Sequence, residues 1–156
     1  MRGELLEAAR VHSIVGAFYA VYNYFGYGLR EFVYATALEY ELIERGHQVT
    51  RELAIPVSYK GRHVAWQRID RVVDNAVIVE IKATEKLSPA DKPQLITYLR
   101  ASRYQVGVLL HFGPAAKFYR VIDYPKRRGL SVAGASSNSS ISSNSCPNGL
   151  GPGVAD

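Results

Sequence analysis

Cysteine is almost missing from these 156 residues: Cys146 is the only one. An intramolecular disulfide and a Cys-based zinc site are therefore excluded. No apolar run approaches the ~18 residues that a membrane-spanning helix needs, and no charged-then-apolar leader opens the chain. The expected setting is a reducing cytoplasm, with no membrane partner. Tryptophan is limited to Trp66, and the four histidines (His12, His47, His63 and His111) show no metal-ligand spacing. His111, inside an apolar run, reads as a hydrogen-bonded core histidine.

Charge is missing from one end. All 19 Lys and Arg precede Gly129, with 13 of the 14 acidic residues, so residues 1–128 carry 19 − 13 = +6. A positive excess favours polyanionic partners such as nucleic acid. Of the last 28 residues, 18 are Ser, Gly, Asn or Pro. Such a stretch cannot bury enough apolar surface to offset its ordering entropy. Two regions are expected, a folded domain over 1–128 and a disordered tail over 129–156.

Within the domain, Ile14, Phe18, Val21, Tyr22 and Phe25 recur at helical spacing, which predicts a helix over about 4–24. A second is predicted over about 30–45, stopped by Gly46. Alternation from Val49 to Tyr59 predicts a strand with one buried face, and a second should follow over 63–72. The run 76–83 is almost continuously β-branched, as in a central strand covered on both faces. A helix beginning at Ser88 or Asp91 and two strands, 106–112 and 117–122, complete the order α-α-β-β-β-α-β-β. Tyr19, Tyr22, Tyr24 and Tyr27 cluster at the end of the first helix, as part of the core, a self-association surface or a base-stacking platform.

The central strand carries the chemistry. Glu80 and Lys82, two apart, point to one face of an otherwise apolar element. Buried charge needs a partner, whether a metal ion, a ligand or each other. The plainer alternative is a surface ion pair where the strand emerges. Asp70 lies ten residues earlier, near the end of the preceding strand. A three-residue loop, Val73-Asp74-Asn75, pairs Ala76 with Val72 and sets Arg68 against Glu80. Asp70 and Glu80 then form a diagonal pair about 7–8 Å apart, a span that a divalent ion bridges. A two-residue loop would put them on opposite faces. Two carboxylates and a lysine suit Mg²⁺-assisted phosphoryl chemistry. Paired carboxylates also serve glycosidases, but Trp66 is the only tryptophan available to line a sugar cleft.

Asp70…Glu80-Ile81-Lys82 resembles the D…(D/E)-x-K signature of the PD-(D/E)XK nuclease superfamily. Gly28, Glu31 and Tyr34 read G-x-x-E-x-x-Y, and with the ALEYELIERGHQV that follows they resemble the GxxExxY protein family, a prokaryotic branch of that superfamily. Gln94 and Tyr98 are similar to the Q-x-x-x-Y motif of RecB-type nucleases. The resemblance covers roughly residues 5–122 and keeps the motifs in order. It departs at Asn75, where the hairpin would carry Gly, and at Pro93, ahead of Gln94.

The resemblance implies a restriction-endonuclease-like mixed β-sheet flanked by helices and Mg²⁺-dependent nucleic-acid cleavage, with Mn²⁺ as the alternative ion. DNA is the expected polymer ahead of RNA, and a homodimer stays open. By position, Asp70, Glu80 and the Ile81 carbonyl are the implied metal ligands, with Glu31 binding directly or through water. Lys82 is implied in water activation and charge stabilisation. Gln94 and Tyr98 would position the strand, and Arg68 would contact phosphate or pair with Glu80. Glu31 is expected on the apolar side of its helix, at helical spacing from Tyr34 and Leu38. The competing reading is a non-catalytic nucleic-acid-binding or adaptor module on the same fold.

Overall fold

The structure is a computed structural model that describes residues 6–124. The expected tail over 129–156 lies outside the described residues. Helices α1 (Ala8–Phe25) and α2 (Glu31–Glu44) come first. Strands β1 (Val49–Tyr59), β2 (Arg62–Val73) and β3 (Val77–Lys82) follow, then α3 (Asp91–Ala101), β4 (Val106–Phe112) and β5 (Ala116–Ile122). The five strands lie side by side in chain order. Only β3 and β4 run parallel, joined by the α3 crossover; the other neighbours are antiparallel. This is the expected mixed sheet flanked by helices, in the expected order.

Alternation divides the core in two. Val77, Val79 and Ile81 of β3 pack beneath α1 and α2 against Ile14, Phe18, Leu38 and Leu42. Ile78 faces the other way, toward Leu95, Tyr98 and Leu99 of α3. Gly107 lets α3 approach β4 closely, since a Cβ there would stand 2.7 Å from Leu95 Cδ1. Among the described residues no helix is long and apolar enough to cross a membrane.

The β2–β3 hairpin differs from expectation by two residues in register. Val73 pairs with Val77, so the three-residue loop is Asp74-Asn75-Ala76. Both Asp74 and Asn75 take positive φ, 51° and 53°. Asp and Asn tolerate that conformation better than other non-glycine residues. The Asp74 carboxylate holds the turn to neighbouring elements. It accepts from the Gln48 backbone N–H at 2.8 Å and Arg10 Nε at 2.8 Å, and lies 2.7 Å from His47 Nδ1. Burial works to raise its pKa, but these three partners outweigh it and bring it down to about 2.

Candidate active site

Strands β2 and β3 pair only from Val73–Val77 to Arg71–Val79. Continued by one step, that register would set Asp70 directly across from Glu80 rather than diagonal to it. This corrects the expected register and also the expected facing of Arg68 and Glu80. Arg68 instead lies on an exposed stretch of β2, 3.7 Å from Glu52 of β1. At Asp70 the strand also loses its alternation: Ile69 and Val72, three apart, both join the core beneath α3. Glu52 has φ 52° at this level of β1, between Leu53, which pairs with Ile69, and Arg51, which pairs with Arg71. The sheet therefore opens between β2 and β3 at the two carboxylates. Asp70 is exposed and Glu80 is 4% exposed.

Glu80 is buried because β3 is central, and it is not left alone. Lys82 Nζ lies 3.1 Å from its Oε1 and 3.7 Å from Asp91 Oδ1. Burial raises the Glu80 pKa above the usual carboxylate range. Lys82 acts against that shift, while the negative charges of Asp70 and Glu31 add to it. Burial alone would lower the Lys82 pKa, yet Glu80, Asp91 and Glu31 hold it above its ordinary value. The Tyr98 phenol is pushed up by burial first, then by the charges of Glu80 and Asp70. Four elements thus bring charge to one place: the end of β2, the end of β3, and the first residues of α2 and α3.

Glu31 is exposed, contrary to the expectation that it faces the apolar side. It is the first residue of α2, and residues 27–32 around it are all exposed. The G-x-x-E-x-x-Y spacing has a physical cause here. Tyr34 is fully buried and stacks on Phe112 at 4.3 Å. Its hydroxyl donates to the Gly26 carbonyl at 2.6 Å and accepts from the Leu29 N–H at 3.2 Å. Gly28, φ 117°, completes that turn. The tyrosine therefore ties down the loop that presents Glu31.

Tyr98 is 8% exposed and Gln94, exposed, hydrogen-bonds to it from one turn earlier. Gln67 Nε2 lies 3.4 Å from the Tyr98 hydroxyl. Asp91 was legible only as a helix cap. It does accept from the Ser88 N–H at 2.7 Å, but its other oxygen faces Lys82. The signal was present: an acid at the start of the helix that follows a lysine-bearing strand end. His111 is buried beside Lys82 in register, with Nε2 2.7 Å from the Thr84 carbonyl.

Among the described residues no three His, Cys, Asp or Glu side chains converge closely enough to hold a metal ion by themselves. The donor set nevertheless fits Mg²⁺. That ion takes oxygen ligands, commonly one or two carboxylates, and keeps several waters. Asp70 and Glu80 are such a pair, opposed where the ladder ends, and the charges of Asp70 and Glu31 already bear on Glu80. A divalent cation would relieve that repulsion.

Comparison with known proteins bears on the whole domain. The model of a family described as the PD-(D/E)XK nuclease superfamily matches residues 8–121, from the start of α1 almost to the end of β5. No curated protein matches the chain. A solved structure, "Crystal structure of SSO0001", is similar at 20% identity with a TM-score of 0.48. It covers 60% of this chain, which in turn spans 50% of its length.

Proposed function

This chain belongs to the PD-(D/E)XK nuclease superfamily, and on that premise we propose that it hydrolyses nucleic-acid phosphodiester bonds with Mg²⁺. The observation that carries the reading is the buried Glu80, opposed to Asp70 at the opening of the sheet and paired with Lys82 at 3.1 Å. A central strand bears the desolvation cost of that charge, and a site for a cation and a phosphate gives the cost a purpose. Asp70, Glu80 and the Ile81 carbonyl are the proposed ligands, with Glu31 joining through water, as its exposure allows. The ion would offset phosphate charge and make the attacking water more acidic.

The chain's own residues account for the rest. Lys82, with its pKa raised, remains an ammonium at neutral pH. It acts as a cation that hydrogen-bonds the water and stabilises charge developing on the phosphoryl oxygens, rather than as a base. Asp91, 3.7 Å away, is a second carboxylate beside that ammonium. Gln94 and Tyr98 line the α3 side and position the strand. Tyr34 and Glu31, in their G-x-x-E-x-x-Y context, further support assignment to the GxxExxY branch. DNA is the preferred polymer.

Incubating the full chain with single- and double-stranded DNA and RNA, in Mg²⁺, Mn²⁺ or chelator, tests the proposal. The expected result is cleavage that chelator abolishes. Salt-sensitive binding without cleavage under either metal would replace the enzyme with a binding module.

A further inference from the structure

The β1–β2 hairpin reaches well past the sheet. Its pairing with β3 stops at Arg71, so residues 53–68 form a two-stranded arm. Leu53, Ile55 and Ile69 turn one face of its base toward α3. Ala54, Pro56, Trp66 and Arg68 alternate with them and are all exposed. Trp66 is 67% exposed and Tyr59 is 65% exposed. A cation accompanies the Tyr59 ring and an imidazole ring accompanies Trp66. Lys60 Nζ lies 5.4 Å from the Tyr59 ring centre, and the His63 ring is 5.0 Å from that of Trp66. Residues 53–68 contain Lys60, Arg62 and Arg68 and no Asp or Glu.

Flat rings open to solvent within a positive field suit unpaired nucleotides: bases stack on the rings and phosphates meet the cations. In a duplex the base faces are hidden within the stack. We propose that this arm binds single-stranded nucleic acid and leads it toward Asp70. The inference rests on the nuclease reading and names the form of its substrate. Trp66 precedes Asp70 by four residues on the same strand, roughly 13 Å at ~3.3 Å per residue, which a few nucleotides span. A second copy of the chain fits less well. Arm against arm would oppose like charges, with no carboxylate in 53–68 to offset them.

Trp66 is the only tryptophan, so its fluorescence reports on the arm alone. The full chain in chelator is titrated with a fluorophore-labelled short oligothymidylate, an oligouridylate and a duplex of equal length, following tryptophan emission and label anisotropy together. Both single strands should quench Trp66 in step with the rise in anisotropy, and the duplex should bind more weakly. Trp66→Ala should weaken single-strand binding roughly 5- to 150-fold, the worth of one stacked base, and Trp66→Phe should restore much of it. Lys60→Glu with Arg62→Glu should weaken binding further and flatten its salt dependence. Preferential binding of either single strand over the duplex supports the arm. Single-strand binding that leaves Trp66 emission unchanged and survives Trp66→Ala overturns the arm while the nuclease reading stands. Duplex binding that matches or exceeds single-strand binding also overturns it, as does blue-shifted emission with a dimeric mass. Absence of any binding in a protein that still cuts nucleic acid overturns the arm alone; absence of both removes the nuclease reading beneath it.

Discussion

Asp74→Asn isolates a charge without disturbing a shape. The residue sits at φ 51°, which Asn adopts as readily as Asp, so the turn itself is kept. What is lost is a carboxylate that accepts from the Gln48 N–H and Arg10 and lies 2.7 Å from His47. Its folded pKa of about 2, against an ordinary 3.8, is a difference of about 1.8 units. Discounted for solvent, because the side chain is 22% exposed, that difference means the ionised form stabilises the fold by about 2 kcal/mol. The pKa is depressed on folding, so this stability is present above about 3.8 and is lost as pH falls through about 2. Urea unfolding of both proteins should show the variant about 2 kcal/mol weaker at pH 7. The gap should narrow from about pH 4 downward. Equal stability at pH 7, or a gap that does not change with pH, would refute the reasoning. Cleavage at pH 7 should survive where both proteins are folded, because the backbone register of Asp70 and Glu80 is unchanged.

Four further outcomes are expected. Tyr34→Phe strands the Leu29 N–H and the Gly26 carbonyl, and should cost about 1–3 kcal/mol in thermal unfolding while lowering cleavage by loosening the loop that presents Glu31. Gly16→Ala should stabilise by about 0.5–1 kcal/mol, because its Cβ meets only the flexible end of Arg45 and α1 gains helix propensity. Gly107→Ala should destabilise by about 1–3 kcal/mol, because its Cβ would collide with Leu95. Truncation after Arg128 should shift the melting temperature by less than ~5 °C, and a larger loss would place structural weight on residues 129–156.

Most of the architecture was written in hydrophobic spacing. Ile14 and Phe18 mark the buried face of α1, and Val77 to Ile81 mark a strand covered on both sides. The register of β2 on β3 was not legible. Asp74 and Asn75 both suit positive φ and both adopt it, but nothing in the sequence says where the loop begins; Arg10, His47 and Gln48 fix Asp74 within it. A three-residue loop was one of two lengths the sequence left open, and that length keeps Asp70 and Glu80 on one face. The break of alternation at Asp70 did leave a trace, unused in the strand expectation, since Ile69-Asp70-Arg71-Val72 sets two polar residues between two apolar ones. Glu31 was misplaced because helical spacing cannot say where the covering sheet ends. Asp91 was hidden behind a cap role that it also performs.

The central claim is that Asp70 and Glu80 act through a metal ion and Lys82 acts on the chemistry. Mg²⁺ titration by calorimetry, paired with single-turnover cleavage on wild type, Glu80→Gln and Lys82→Ala, tests it directly. Glu80→Gln should lose both Mg²⁺ binding and cleavage. Lys82→Ala should keep Mg²⁺ binding and lose on the order of 10²–10³ in rate. Cleavage that survives both substitutions, or a wild-type protein that cuts no nucleic acid with Mg²⁺ or Mn²⁺, would contradict the account.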